Sequence, residues 1–119
     1  MKTYTLERPN KSTPTIYATE EIPLENKMVY EHYFMAGTNI DYFVLEYSEA
    51  NDEIFCWAEL VEGCGELGYS SLKEMESVHR NIPVITPNGS LNLIVHIERD
   101  RHWIPIPLGE ALENRRKRN

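Results

Sequence analysis

Carboxylates are the side chains of this sequence with the most potential for chemistry. Between Thr19 and Ser77 the chain carries fourteen acidic residues and only two basic ones, Lys27 and Lys73. The formal net charge of the whole chain is −7. A surface of one sign attracts cationic partners and repels nucleic acid phosphate. The sequence therefore favours docking on a basic protein surface, and it argues against direct nucleic-acid binding except through the basic C-terminus.

Several of these carboxylates are expected to lie beside two aromatic residues, on neighbouring strands and at a strand end. The candidate binding residues are Glu46, Phe55, Trp57, Glu59, Glu62 and Glu66. Aromatic anchors dominate interface energies, so this set predicts a protein-binding patch. The carboxylates could also stand in for DNA phosphates in the basic groove of a nucleic-acid enzyme. Equally, they could only keep a small domain soluble.

A metal-dependent nuclease is the alternative function. Such a site needs two or three carboxylates that converge on Mg²⁺, often with a lysine nearby. The sequence supplies the residue types without a motif: Asp41, Glu46, Glu59, Glu66, Glu98, Asp100 and Lys73. The four histidines are dispersed and lack a short metal-ligand spacing. No catalytic residue, metal site or cofactor is therefore predicted, and the function is expected to be non-enzymatic.

Cys56 and Cys64 are too few for a disulfide framework, which indicates reduced thiols in an intracellular protein. No apolar run is long enough to cross a membrane. We therefore expect a cytoplasmic protein without a membrane partner.

The patterning predicts the α+β class, with a small antiparallel sheet of four or five strands packed against one or two helices. Predicted strands cover 27–35, 41–47 and 53–61, followed by a hairpin of 82–85 and 91–98, and 15–19 could form a short edge strand. A capping box at Ser71 and Glu74 predicts a helix over 71–79, and a second helix is predicted over 108–117. Both helices are expected on one face of the sheet.

Alternation in the third strand assigns its side chains to the two faces of the sheet. Ile54, Cys56 and Ala58 should lie on one face, and Phe55 and Trp57 on the other. The polar segment 1–14 reads as a loose N-terminal arm, 15–112 as a single α+β domain and 113–119 as a basic tail. This tail could contact a partner, fold back onto the acidic body, or remain a solvated helix end.

Three stretches of the chain resemble one family of proteins. They are TIYATE (15–20) with IPLE and KMVY within 22–30, ELGYSSLKEME (66–76) and IERDRHWIP (97–105). The family is the uncharacterised domain-of-unknown-function group numbered 2958, from bacteria, plasmids and phages. Its presence on mobile elements implies an inhibitor of a host nucleic-acid defence enzyme, of the anti-CRISPR or anti-restriction type. An automatic label on some members implies instead a single-stranded DNA nuclease. A third hypothesis is a homodimer in which an exposed sheet edge pairs with its twin.

Overall fold

A computed structural model describes residues 4–118, so residues 1–3 of the predicted arm and residue 119 of the predicted tail lie outside the described residues. In chain order the elements are a 3-10 helix (Leu24–Asn26), β1 (Met28–Val29), β2 (Glu31–Met35), β3 (Asp41–Ser48), β4 (Glu53–Glu59), β5 (Gly65–Ser71), α1 (Leu72–Met75), β6 (His79–Thr86), β7 (Gly89–Arg99), β8 (Ile106–Pro107) and α2 (Leu108–Arg118).

Six strands form one antiparallel sheet in the order β5-β4-β3-β2-β7-β6, and β1 pairs separately with β8. The predicted α+β class is confirmed, but the sheet is larger than the four or five strands expected. The additional strand is β5, which pairs along its whole length with β4. Its sequence, GELGYSS, has few strand-forming residues, so the pairing with β4 determines its conformation.

The two faces of this sheet are covered by different parts of the chain. On one face Ile54 and Cys56 pack with Leu72 of α1. On the other, Phe55 and Trp57 pack against the cluster that contains the first residues of α2. The alternation predicted for this strand is confirmed. The expectation that both helices share one face is wrong, because β3 is buried on both faces and each face needs a cover.

Several boundaries differ from the predictions. Residues 16–20 form turns rather than an edge strand. The strand predicted over 27–35 is interrupted at Tyr30, between β1 and β2. The Ser71 hydroxyl does cap the first turn of α1, accepting a hydrogen bond from the Glu74 amide at 3.2 Å. The helix nevertheless ends at Met75, because the chain returns to the sheet at His79.

The described part of the predicted loose arm, residues 4–14, lies against the sheet. Leu6 is 1% exposed and belongs to the same core cluster as Ile54. Arg8 forms ion pairs at 2.7 Å with Asp52 and with Glu76, which fixes this segment to the β3–β4 turn and to the end of α1. A polar composition therefore did not prevent this segment from contributing to the core.

The predicted hairpin is confirmed, and it is longer than expected. Its strands β6 and β7 join at Pro87 and Asn88, and Gly89 follows with a φ of 120°. Most of its residues between His79 and Ile94 are exposed. No helix within residues 4–118 has the length and apolar character needed to span a membrane.

Candidate functional site

Arg115 of α2 binds three of the fourteen carboxylates that lie between Thr19 and Ser77 in the sequence. Asp41 and Glu59 lie directly opposite each other on β3 and β4, where two like charges destabilise a sheet. The Arg115 side chain is 3% exposed; it donates to Glu59 at 2.7 Å, to Glu62 at 3.2 Å and to Asp41. Glu59 and Glu62, both predicted to bind a partner, are therefore held in an internal ion-pair network.

This network continues to His32 and the end of α2. The His32 ring is buried, with Nε2 2.6 Å from Asp41 and Nδ1 3.1 Å from Asp100. Arg118 also donates to Asp41, at 2.8 Å. Burial tends to raise the pKa of Asp41, but the hydrogen bond and charge of His32, together with Arg118 and Arg115, lower it. Part of the basic tail thus folds back onto the acidic body.

Trp57 and Glu66 lie on opposite faces of the sheet. The Trp57 indole N–H donates to Glu59 at 3.2 Å, so this ring supports the Arg115 network. Glu66 lies on β5 opposite Ala58, whose side chain is on the face away from Trp57. The six predicted binding residues therefore do not form one patch: Trp57, Glu59 and Glu62 lie around Arg115, Glu46 and Phe55 form a separate pair, and Glu66 is on the opposite face.

A β-bulge brings Glu46 to the face that carries Phe55. The register of β3 against β4 shifts between Val44 and Glu46, so Leu45 and Glu46 together oppose Phe55. Glu46 is 3% exposed. Its carboxylate accepts hydrogen bonds from the amides of Tyr17 at 2.8 Å and Thr19 at 2.9 Å. Glu46 thereby fixes the turn formed by residues 16–20.

This turn holds Tyr17 in a strained conformation. Tyr17 has a φ of 72°, a region that residues with a bulky side chain rarely occupy. Such strain persists only where surrounding contacts impose it, and it is concentrated at functional sites. The contacts here come from Glu46 and from Lys27, whose ammonium group donates to the Thr19 carbonyl. The result is a tyrosine side chain that is 69% exposed.

Tyr17 borders a groove of about 290 Å³ between the turn, the edge strand β5 and its neighbour β4. We call it the tyrosine groove; its principal lining residues are Tyr17, Glu20, Glu46, Phe55, Leu67 and Tyr69. The rings of Phe55 and Tyr69 lie 5.0 Å apart between centroids, at 48°. Tyr69 is 50% exposed and Leu67 is 40% exposed. The groove is therefore apolar inside, with tyrosine rings accessible to solvent.

Acidic side chains outnumber basic ones at this groove, where Glu20 and Glu46 line the wall together with Lys27. Desolvation and then contact with Tyr17 raise the pKa of Tyr69, and the negative charges of Glu46 and Glu53 raise it further. Glu20 is exposed at the edge of the groove. A negative potential that makes a phenolate unfavourable makes a bound cation favourable.

Two larger cavities are less suited to a charged ligand, because their ionic groups already bind each other. A cavity of about 480 Å³ contains Glu7, Arg99 and Arg101, and this glutamate lies 3.1 Å from each arginine. A second cavity, of about 400 Å³, is lined by His32, Asp41, Asp100 and Arg118, which belong to the Arg115 network. Within residues 4–118, no group of three or more histidine, cysteine or acidic side chains could hold a metal ion.

No family model, curated protein or solved structure matches this chain. The resemblance of the three quoted stretches to family 2958 thus stays a prediction, as does the function that it implies.

Sequence reasoning did not identify Tyr17, Leu67 or Tyr69 as site residues. The last two could have been found from the strand pattern. If 65–71 is paired with β4, alternation places Leu67 and Tyr69 opposite Trp57 and Phe55, on the same face. Tyr17 gave no such signal, because its position depends on the bulge that turns Glu46 toward the 16–20 turn.

Proposed function

We propose that this protein is a binding protein that docks on a cationic protein surface, with the tyrosine groove as its contact site. The observation that carries the proposal is the pair of exposed tyrosines above a buried carboxylate. Tyr17 is held at a strained φ by Glu46, and Tyr69 packs on Phe55 from the neighbouring strand. Elements from two parts of the chain therefore form one aromatic, negatively charged recess.

The chemistry of the groove suits a lysine or arginine side chain of the partner. The faces of tyrosine rings attract cations, with a stabilisation of about 0.5 kcal/mol at exposed sites and about 2 kcal/mol when water is excluded. Phe55 and Leu67 supply an apolar surface for the aliphatic stem of such a residue. Lys27 also lines the groove, but its ammonium group is already bound to Thr19.

Exposed carboxylates next to the groove add a longer-range attraction. Glu20, at the end of the 16–20 turn, and Glu21 and Glu25, on the segment that follows it, are all exposed. Charges of this kind increase the rate of encounter with an oppositely charged partner, and salt weakens the effect. The proposal thus replaces the predicted patch around Glu59 and Glu62 with one around Tyr17 and Glu20. The expectation of a host defence enzyme as the partner comes from the family resemblance and from the idea that carboxylates stand in for DNA phosphates, and it stays a prediction.

Titration of the protein with a short cationic peptide tests this proposal. We expect a capped hexaarginine peptide to bind, and a capped hexacitrulline peptide of nearly the same shape not to bind. Affinity for hexaarginine should fall when salt is raised from about 50 mM to about 500 mM. The reason is that added salt shortens the Debye length, which is about 10 Å at 0.1 M and about 3 Å at 1 M. Equal binding of both peptides, or binding that is insensitive to salt, would contradict the proposal.

Variants at Tyr69 separate the ring from the rest of the groove. Tyr69→Leu should weaken hexaarginine binding by about 2-fold to 30-fold, the equivalent of the cation–π energy above. Tyr69→Phe keeps a ring face and should retain most of the affinity. Ile104→Ala is the control, because Ile104 is 76% exposed and does not line the groove. If the Leu and Phe variants bind alike, the tyrosine face is not the contact.

A further inference from the structure

One face of the β6–β7 hairpin carries four aliphatic side chains between the positions of Arg80 and Thr86; two of the four are exposed, and the other two, Ile82 and Val84, are half-buried. The cross-strand pairs on this face are Ile82 with Leu93 and Val84 with Leu91. Leu91 is 47% exposed and Leu93 is 49% exposed. We call these four residues the aliphatic face. It continues the core of the sheet, since Val95, the next residue on the same side of β7, packs against that core.

The opposite face of the hairpin is different in character. Three of its cross-strand pairs join an apolar residue to a polar one, Asn81 with Ile94, Pro83 with Asn92 and Ile85 with Ser90, and a fourth joins His79 with His96. Water can hydrogen-bond to a polar member of every pair on this side. The aliphatic face offers water no such partner, and contiguous exposed apolar surface of this kind marks an interaction site.

The charge of the hairpin indicates what covers the aliphatic face. Residues 77–97 contain one arginine, Arg80, and no aspartate or glutamate, although the whole chain has nineteen acidic residues. Two copies of a protein with a net charge of −7 repel each other over most of their surfaces. At the hairpin two copies can meet without bringing carboxylates together or removing them from water.

We propose that the protein forms a homodimer in which the aliphatic face packs against the same face of a second copy. A two-fold contact requires a patch that complements itself, and rows of leucine, isoleucine and valine satisfy this. Edge-to-edge pairing of β6 is a poorer arrangement, since Pro83 lies in the middle of that strand and has no N–H to donate. This inference is independent of the tyrosine groove and of its partner.

The size of the face sets the strength expected of the dimer. A standard interface involves about 20 to 30 residues on each side. The strands β6 and β7 have eight and eleven residues, and only alternate residues point to one face. The contact is therefore smaller than standard, and we expect a dimer whose population depends on protein concentration. A two-stranded ribbon is marginally stable by itself, so association should also stabilise the hairpin.

Sedimentation velocity of the full chain, from about 5 µM to about 500 µM, tests the inference. The mass should rise from that of a monomer toward that of a dimer. Leu93→Glu should remain a monomer throughout. Ile94→Glu is the matched control, because Ile94 is the next residue, is 62% exposed and points to the opposite face. This control should dimerise as the unmodified protein does.

Two further variants keep the test decisive if Leu93→Glu folds poorly. Leu91→Glu on the same face should also abolish the dimer, and Leu93→Met should preserve it, with circular dichroism melting curves recorded for each. The inference is overturned if the unmodified protein is a monomer at every concentration. It is also overturned if the Leu91 and Leu93 glutamate variants dimerise, or if Ile94→Glu blocks dimerisation as strongly as Leu93→Glu does.

Discussion

Replacing Arg115 with methionine should destabilise the protein strongly, although this residue belongs to a segment that reads as a basic tail. Arg115 and Asp41 each have side chains that are 3% exposed, and Glu59 is 13% exposed. Methionine preserves much of the apolar volume but removes the positive charge. Arg115→Met would therefore leave Asp41 and Glu59 opposed across two strands without the cation that separates them.

The expected magnitude follows from the partners that remain. Removing one member of a buried ion pair costs about 3–5 kcal/mol. Asp41 keeps His32 and Arg118 after the substitution, which favours the lower end of this range. Glu62 is 52% exposed, so losing its contact adds less than about 1 kcal/mol. We expect the free energy of unfolding to fall by about 3 kcal/mol, and the melting temperature by roughly 12 °C for a chain of this length.

Urea denaturation followed by tryptophan fluorescence measures this change, because Trp57 contacts Glu59. Arg116→Met is the matched control: Arg116 is exposed on the same helix, and its loss should change the free energy by less than about 0.5 kcal/mol. Adding Glu59→Gln to Arg115→Met should recover about 1 kcal/mol, since one of the two opposed charges is then absent. If Arg115→Met and Arg116→Met are equally stable, Arg115 does not stabilise these carboxylates.

Three other predictions concern the site and its support. Gly65→Ala would place a methyl group against Trp57 and Glu59 and should cost about 1–3 kcal/mol in urea denaturation, whereas Gly68→Ala meets open space and should cost less. Tyr17→Gly removes the penalty of a positive φ, about 1–2 kcal/mol, and the added freedom of glycine in the unfolded chain costs about 0.5–1 kcal/mol. In urea denaturation this variant should be at least as stable as the unmodified protein, yet it should bind hexaarginine more weakly. The pKa of Asp41 is lower in the folded state than in the unfolded one, so the stabilisation by its carboxylate is complete above about pH 4 and is lost as pH falls further. Between about pH 5 and pH 2, the free energy of unfolding of Asp41→Asn should therefore fall less than that of the unmodified protein.

The sheet could be predicted from the sequence where local pattern and tertiary pairing agree. β3 and β4 are rich in aromatic and branched residues, which located both strands, and alternation assigned the two faces of β4. β5 has two glycines and no branched aliphatic residue except Leu67, so nothing local distinguishes it from a loop. It becomes a strand because β4 offers a free edge. The start of α1 could likewise be predicted from local sequence, through its capping residue, whereas the end of that helix is determined by the return of the chain to the sheet.

The candidate site was harder to predict, because charge along a sequence does not reveal which carboxylates are paired. Arg115 binds Glu59 from 56 positions away, and His32 binds Asp100 from 68 positions away. No count of acidic residues contains this information. Phe55 could be predicted as a site residue because the alternation of β4 placed it on a defined face of the sheet. Tyr17 was missed because its exposure depends on a bulge, a buried carboxylate and a positive φ.

Mapping where a cationic peptide binds is the most direct test of the proposed docking function. Backbone amide signals of the ¹⁵N-labelled protein would be followed by NMR during titration with hexaarginine. We expect shifts concentrated at Tyr17, Glu20, Phe55, Leu67 and Tyr69, the residues around the tyrosine groove. Shifts centred on the carboxylates that Arg115 binds, shifts spread evenly over the acidic surface, or no shifts at all would contradict the account.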